Sequence, residues 1–200
     1  MAGDTLFGMP ILGAALLWFF NDVDLLQRWT GEFPLWQQLI TGVPIGLASA
    51  WLAESVLNLK KLRNVLEKYS KLLGNFKLNK PEMLWLSVCA GVGEELLFRG
   101  VLQWITIHFF GFWMGIGVTS ILFIAIHGYL NPKNGNVFLY GFFLTTVIFA
   151  WGILNETYGI WTVIVAHATF DYYLLSRMEE PSIAPYPIVY KDEQEKKEEN

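Results

Sequence analysis

The chain has 200 residues, 54% of them hydrophobic and 16% charged, with 15 Phe, 9 Trp and a mean hydropathy of +0.37. Soluble domains usually carry about a quarter charged residues, so this composition argues against an ordinary soluble globule and for an all-α, polytopic membrane helix bundle of one domain. The net charge of −4 adds little because the acidic groups gather in the tail, and the single Cys89 excludes an intrachain disulfide.

Met1–Thr5 holds Asp4 and no Lys or Arg, so it lacks the basic start of a secretory signal. Leu6–Phe20 reads as a first span, although at 1.5 Å per residue it reaches only about 22 Å. Asn21–Trp36 reads as a loop whose Trp29 and Trp36 suit an interface. Gln38–Leu57 is a second span containing Pro44 and Glu54. Its Gly42 and Gly46 form a small-residue spacing that serves internal helix packing. Asn58–Lys80 is strongly basic, and Leu59, Leu62, Val65, Leu66, Tyr69 and Leu72 recur at helical spacing. That pattern predicts an amphipathic helix lying on anionic headgroups over 60–80. Joined to spans on both sides, it is not read as a nucleic-acid patch.

Pro81 opens the next helix, where a Pro in the first turn is tolerated. The third span, about Glu82–Phe110, exceeds a normal crossing and must tilt, break or project. Gly111–Tyr129 is a fourth span, with Gly111 and Gly115 as a second small-residue spacing. Asn131–Gly135 is a turn by composition. Val137–Leu154 is a fifth span, Asn155–Tyr158 a short turn, and Gly159–Leu175 a sixth span. The expected domain is 1–178, followed by a disordered charged tail over 179–200. Both termini are expected on the cytoplasmic side of the cell membrane. This places every Lys and Arg except Arg28 and Arg99 inside, as the positive-inside rule asks.

Ionisable residues inside the apolar runs default to function. Glu94, Glu95 and Arg99 fall within one run. On a helix Glu95 and Arg99 are i, i+4 neighbours and can pair, while Glu94 points about 100° away without a local partner. Glu95–Arg99 therefore reads as an internal brace and Glu94 as the working group. His127 follows Phe123 at i+4, and Asp171 follows His167 at i+4. A carboxylate beside an imidazole fixes its tautomer. His108, among aromatics near the outer end of its span, reads as an interfacial residue. Three polar clusters on three helices suggest one shared site. Glu, His and Asp suit hydrolysis by a Glu-activated water, or a proton relay. Two His with a carboxylate are also a reasonable zinc set, but HExxH is absent, so no local motif demands a metal.

Glu94-Glu95-x-x-x-Arg99, Phe123-x-x-x-His127 and His167-x-x-x-Asp171, in that order, resemble the three motifs of the CAAX-protease and bacteriocin-processing family. This is also called the Abi family, and its eukaryotic relatives include the Ras-converting CAAX endopeptidase. The motif-bearing core is about 82–175. The resemblance implies a multi-pass intramembrane endopeptidase acting on a membrane-associated peptide or protein. It implies Glu94 as general base, and His127, His167 and Asp171 as ligands of the water or oxyanion. Glu95, Arg99 and Phe123 are implied as supporting residues. The family has been read both as metal-dependent and as a metal-free glutamate protease, and no cofactor is expected here. Two rival readings keep the same residues: a non-catalytic protein that binds a membrane-protein partner or confers bacteriocin immunity, and a proton-coupled transporter. The transporter would be favoured by inverted repeats, which the sequence does not display.

Overall fold

The structure is a computed structural model that describes residues 8–9, 11–13, 15, 31–62, 65 and 78–179. Much of the expected first span over Leu6–Phe20, most of the basic amphipathic helix over 60–80 and the tail from residue 180 onward lie outside the described residues. Among the described residues there is no strand. The helices are α1 (Leu35–Leu57), α2 (Lys80–Leu97), α3 (Gln103–Phe110), α4 (Phe112–Ile126), α5 (Gly135–Tyr158) and α6 (Ile160–Glu179). A π-helical turn, Phe98–Leu102, runs α2 into α3 without interruption. The long third span is thus one rod with an altered register near its middle.

Local chemistry fixes the ends of these helices. Asn79 and Glu82 cap α2 reciprocally: the Asn79 side chain accepts from Glu82 N at 3.0 Å, and Glu82 accepts from Asn79 N at 2.8 Å. Gly111, at φ 78°, takes a left-handed conformation that turns α3 back into α4. Thr106 ties that hairpin, since its hydroxyl meets the Thr119 hydroxyl at 2.7 Å and donates to Gly115 O at 2.9 Å. Asn134 caps α5 by accepting from Val137 N. The turn expected at Asn155–Tyr158 does not form. The helix continues to Tyr158, and Gly159 at φ 107° ends it. Gln38, fully buried on α1, accepts from Trp161 N at 3.2 Å and donates to Phe33 O at 2.7 Å.

Helix α6 is the centre of the bundle, packed chiefly on α1 and α2. Small residues permit that approach. A Cβ at Gly42 would lie 2.6 Å from the Thr162 carbonyl oxygen, and one at Gly46 would collide with that of Ala166. The Gly42/Gly46 spacing is therefore an internal seam between α1 and α6. On α2, Gly91 lies equally close to the Ile164 carbonyl, so α6 is gripped from two sides. A second tie joins α1 to the far end of α6: Glu54 accepts from Tyr173 Oη at 2.8 Å and pairs with Arg177 at 3.2 Å.

The outer faces are apolar, with Trp36, Ile40 and Trp51 on α1 and Trp113 and Met114 on α4 all exposed. Two described helices, α1 and α5, are long and apolar enough to cross a membrane, and α4 is a shorter apolar helix. Helices α2 and α6 have less apolar length because they carry the ionisable groups: Glu94 and Glu95 on one, His167 and Asp171 on the other.

Candidate active site

Helix α2 aims its two carboxylates in different directions, as their 100° separation requires. Glu95 is fully buried and braces Arg99, with Oε2 at 3.3 Å from Nε and both side chains excluded from solvent. Arg99 also donates to Ile148 O at 3.3 Å and lies 5.0 Å from the centre of the Phe123 ring. A buried guanidinium is tolerable only with such company, and here a carboxylate, a carbonyl and an aromatic face supply it.

The other Glu95 oxygen does a second job. Its Oε1 lies 2.8 Å from His167 Nδ1, joining α2 to α6. Because a carboxylate can only accept, Nδ1 carries the hydrogen and Nε2 points elsewhere. Nε2 stands 3.4 Å from Asp171 Oδ2 and 4.0 Å from Glu94 Oε2.

His127 is held by the same logic on α4. Its Nδ1 donates to the Phe123 carbonyl at 2.7 Å, and its ring stacks on Phe123 with centroids 4.6 Å apart. Nε2 then faces Glu94 Oε2 at 3.3 Å. His127 forms the C-cap of α4, and Gly128 at φ 76° turns the chain away immediately after it. Glu94, which had no local partner along its own helix, thus meets two imidazole Nε2 atoms from two other helices. Each ring is anchored by its Nδ1. Such a group can accept a proton at Glu94 and, where a ring carries a second proton, donate a hydrogen bond at its Nε2.

The cluster faces a cavity of about 160 Å³ whose walls include Glu94, His127, His167, Asp171, Trp151 and Phe170. A larger, mostly apolar cavity of about 290 Å³ adjoins it, and the two share Tyr129, Leu144, Phe170 and Asp171. All seven expected residues therefore lie at or directly behind one site: Glu94, His127, His167 and Asp171 on the cavity, Phe123 on its wall, Glu95 and Arg99 behind it. His108 stays apart, exposed on α3 beside Trp104 and Phe109. Among the described residues, no group of three His, Cys, Asp or Glu is arranged to hold a metal ion.

With this geometry in view, one known family matches part of the chain. Residues 77–173 match the family described as type II CAAX prenyl endopeptidase Rce1-like. Over this segment the chain is similar to that family. The segment spans α2 to most of α6 and contains every residue of the cluster, in agreement with the CAAX-protease and bacteriocin-processing resemblance carried by the three motifs. Neither the curated proteins nor the solved structures contain a match to the chain. At the family level the Rce1-like domain implies a protease, and with α1 and α5 it points to a membrane protein.

Some members of the site are invisible to motif reading. Trp151 on α5 is 2% exposed and packs against His167 at 5.6 Å between centroids. The Ile148 carbonyl, one turn earlier, is a partner of Arg99. Neither residue type stands out in an apolar span, and only their proximity to a His and an Arg distant in sequence marks them.

Proposed function

We propose that the protein is an intramembrane endopeptidase that hydrolyses a peptide bond of a membrane-associated substrate with a water activated by Glu94. The observation that carries this reading is the pair of contacts from Glu94 Oε2 to His127 Nε2 at 3.3 Å and to His167 Nε2 at 4.0 Å. A carboxylate in that position takes a proton as the water oxygen bonds to the scissile carbonyl carbon. With both imidazoles in their doubly protonated form, the two Nε2–H groups then donate to the oxyanion that forms on the carbonyl oxygen. Collapse of the tetrahedral adduct breaks the C–N bond, and Glu94 returns its proton to the leaving amine. Asp171 holds the His167 Nε2–H direction, and Glu95 holds its Nδ1.

The adjoining apolar cavity suits a bulky apolar group next to the cleaved bond, in keeping with the prenylated substrates named in the family's description. The steps above use no metal: Glu94 takes the proton of water and the two Nε2–H groups carry the oxyanion. A multi-pass topology with both termini cytoplasmic would place the site near the cytoplasmic face.

The test is cleavage of a fluorogenic peptide ending in a farnesylated CAAX sequence, by the full chain in detergent. Wild type is expected to cleave it, and Glu94→Gln and His167→Ala to lose about 10²–10⁴ of the rate. Undiminished cleavage in both variants would remove the assigned roles. Absence of cleavage by wild type, with the peptide still bound, would favour a non-catalytic binding protein.

A further inference from the structure

We propose that Ser49 of α1, outside the Rce1-like segment, is a positioning residue: it holds the Trp151 indole and, through it, the His167 ring. Trp151 is almost fully buried, and its Nε1–H donates to Ser49 Oγ at 3.2 Å. A buried indole N–H usually finds a partner, and leaving it unpaired carries a desolvation penalty. The Trp151 ring lies 5.6 Å from His167 at a 46° tilt, and 5.6 Å from Phe170 edge-on.

The contacts of Nδ1 with Glu95 and of Nε2 with Asp171 direct the His167 ring but leave its plane some rotation. Neighbouring rings restrict that rotation: Phe123 from α4, 5.8 Å away, and Trp151 from α5. Ser49 in turn is set by the buried face of α1, where Gly42, Gly46, Ala50, Ala53 and Leu57 recur every three or four residues. The glycine seam that fixes α1 on α6 therefore also fixes the hydroxyl that orients Trp151. A helix lying before the matched segment thus supports the wall of the site from behind.

This inference rests on the reading that His167 Nε2 acts on the reacting atoms, and its test separates the two. Ser49→Ala, Ser49→Thr and Trp151→Phe are compared in the full chain, with unfolding temperatures measured alongside. With the farnesylated CAAX peptide, Ser49→Ala and Trp151→Phe are expected to lower kcat about tenfold with little change in KM. Ser49→Thr, which keeps the hydroxyl, should stay near wild type, and the double variant should be no worse than either single. A readout that needs no turnover is carbethoxylation of His167 by diethyl pyrocarbonate, normalised to the exposed His108. Ser49→Ala should raise that ratio severalfold and Ser49→Thr should not. Equal losses in Ser49→Ala and Ser49→Thr, or an unchanged labelling ratio in Ser49→Ala, would overturn the proposal. If wild type cleaves nothing, the labelling ratio alone decides. Should Ser49→Ala fail to fold, Trp151→Phe carries the same comparison.

Discussion

Glu95 and His167, 72 positions apart, meet at 2.8 Å, while the second oxygen of the same carboxylate faces Arg99 at 3.3 Å. One buried side chain thus joins the structural brace of α2 to an imidazole of the site on α6. Removing it by Glu95→Ala leaves Arg99 buried without its counter-charge. A loss of about 3–5 kcal/mol is expected for such a broken pair. Glu95→Gln keeps an acceptor for one of the two partners and should fold better while still cleaving poorly. Thermal unfolding in detergent, read beside cleavage, separates the two effects.

Asp171 and Glu94 should differ in tolerance. Asp171 Oδ2 lies 3.4 Å from His167 Nε2, a hydrogen-bonding role that an amide oxygen can fill. Asp171→Asn is expected to retain cleavage within about tenfold, whereas Asp171→Ala should lose more. Glu94→Gln cannot accept the proton of water and should be far worse than either. A single series of kcat/KM values on the farnesylated peptide orders the three.

The glycine seam makes a stability prediction with its own control. Gly46→Ala places a Cβ against the Ala166 carbonyl, which cannot move without shifting α6. A destabilisation of about 1–3 kcal/mol is expected from that overpacking. At Gly117 a Cβ would meet only a Phe149 ring carbon at 3.8 Å. Gly117→Ala should therefore be neutral or stabilising by up to about 1 kcal/mol, as for Gly to Ala in a helix. Unfolding temperatures that fell equally for both would contradict the seam.

The tie between Glu54 and the end of α6 predicts a coupling. Glu54 accepts from Tyr173 and pairs with Arg177, which is partly exposed. Glu54→Ala should lower stability by about 1–3 kcal/mol, the range for hydrogen bonds to a charged group. Once Arg177→Ala is present, Glu54→Ala should matter less, and a double-mutant cycle measures the difference.

A chelator supplies the last expectation. Because the proposed steps run through Glu94 and the two Nε2–H groups alone, 1,10-phenanthroline should leave cleavage unchanged. Inactivation that added zinc reverses would assign the two Nε2 atoms to a metal instead.

How much of this was readable in the residues depends on the distance over which each contact acts. Glu95–Arg99 and His167–Asp171 are one helical turn apart, so spacing alone predicts them, and His127 with Phe123 follows the same rule. The meeting of Glu94 with both imidazoles could be inferred only as convergence of scarce polar groups, because no local pattern encodes which helices touch. Glu95–His167, Ser49–Trp151 and Glu54–Arg177 depend wholly on how α1, α2 and α6 pack. Those contacts stayed hidden. The polar run at Asn155–Tyr158 suggested a turn, yet helix continues there because Asn155 and Glu156 reach one another and Gln103 at its surface. The conformation of Gly159 decides the end.

The π-helical turn has a mechanical consequence. Its widened loop, in which Gln103 N bonds back to Phe98 O, accommodates one residue more than a regular helix would. Deleting Gly100 would restore an unbroken α-helix and swing everything after it by about 100°. Glu94 and Glu95 would keep their places, while Gln103 would leave the Gly152 carbonyl and Thr106 would leave Thr119. That single extra residue lets the front half of the rod answer to the Glu94 cluster and the rear half to its hairpin, each with its own phase.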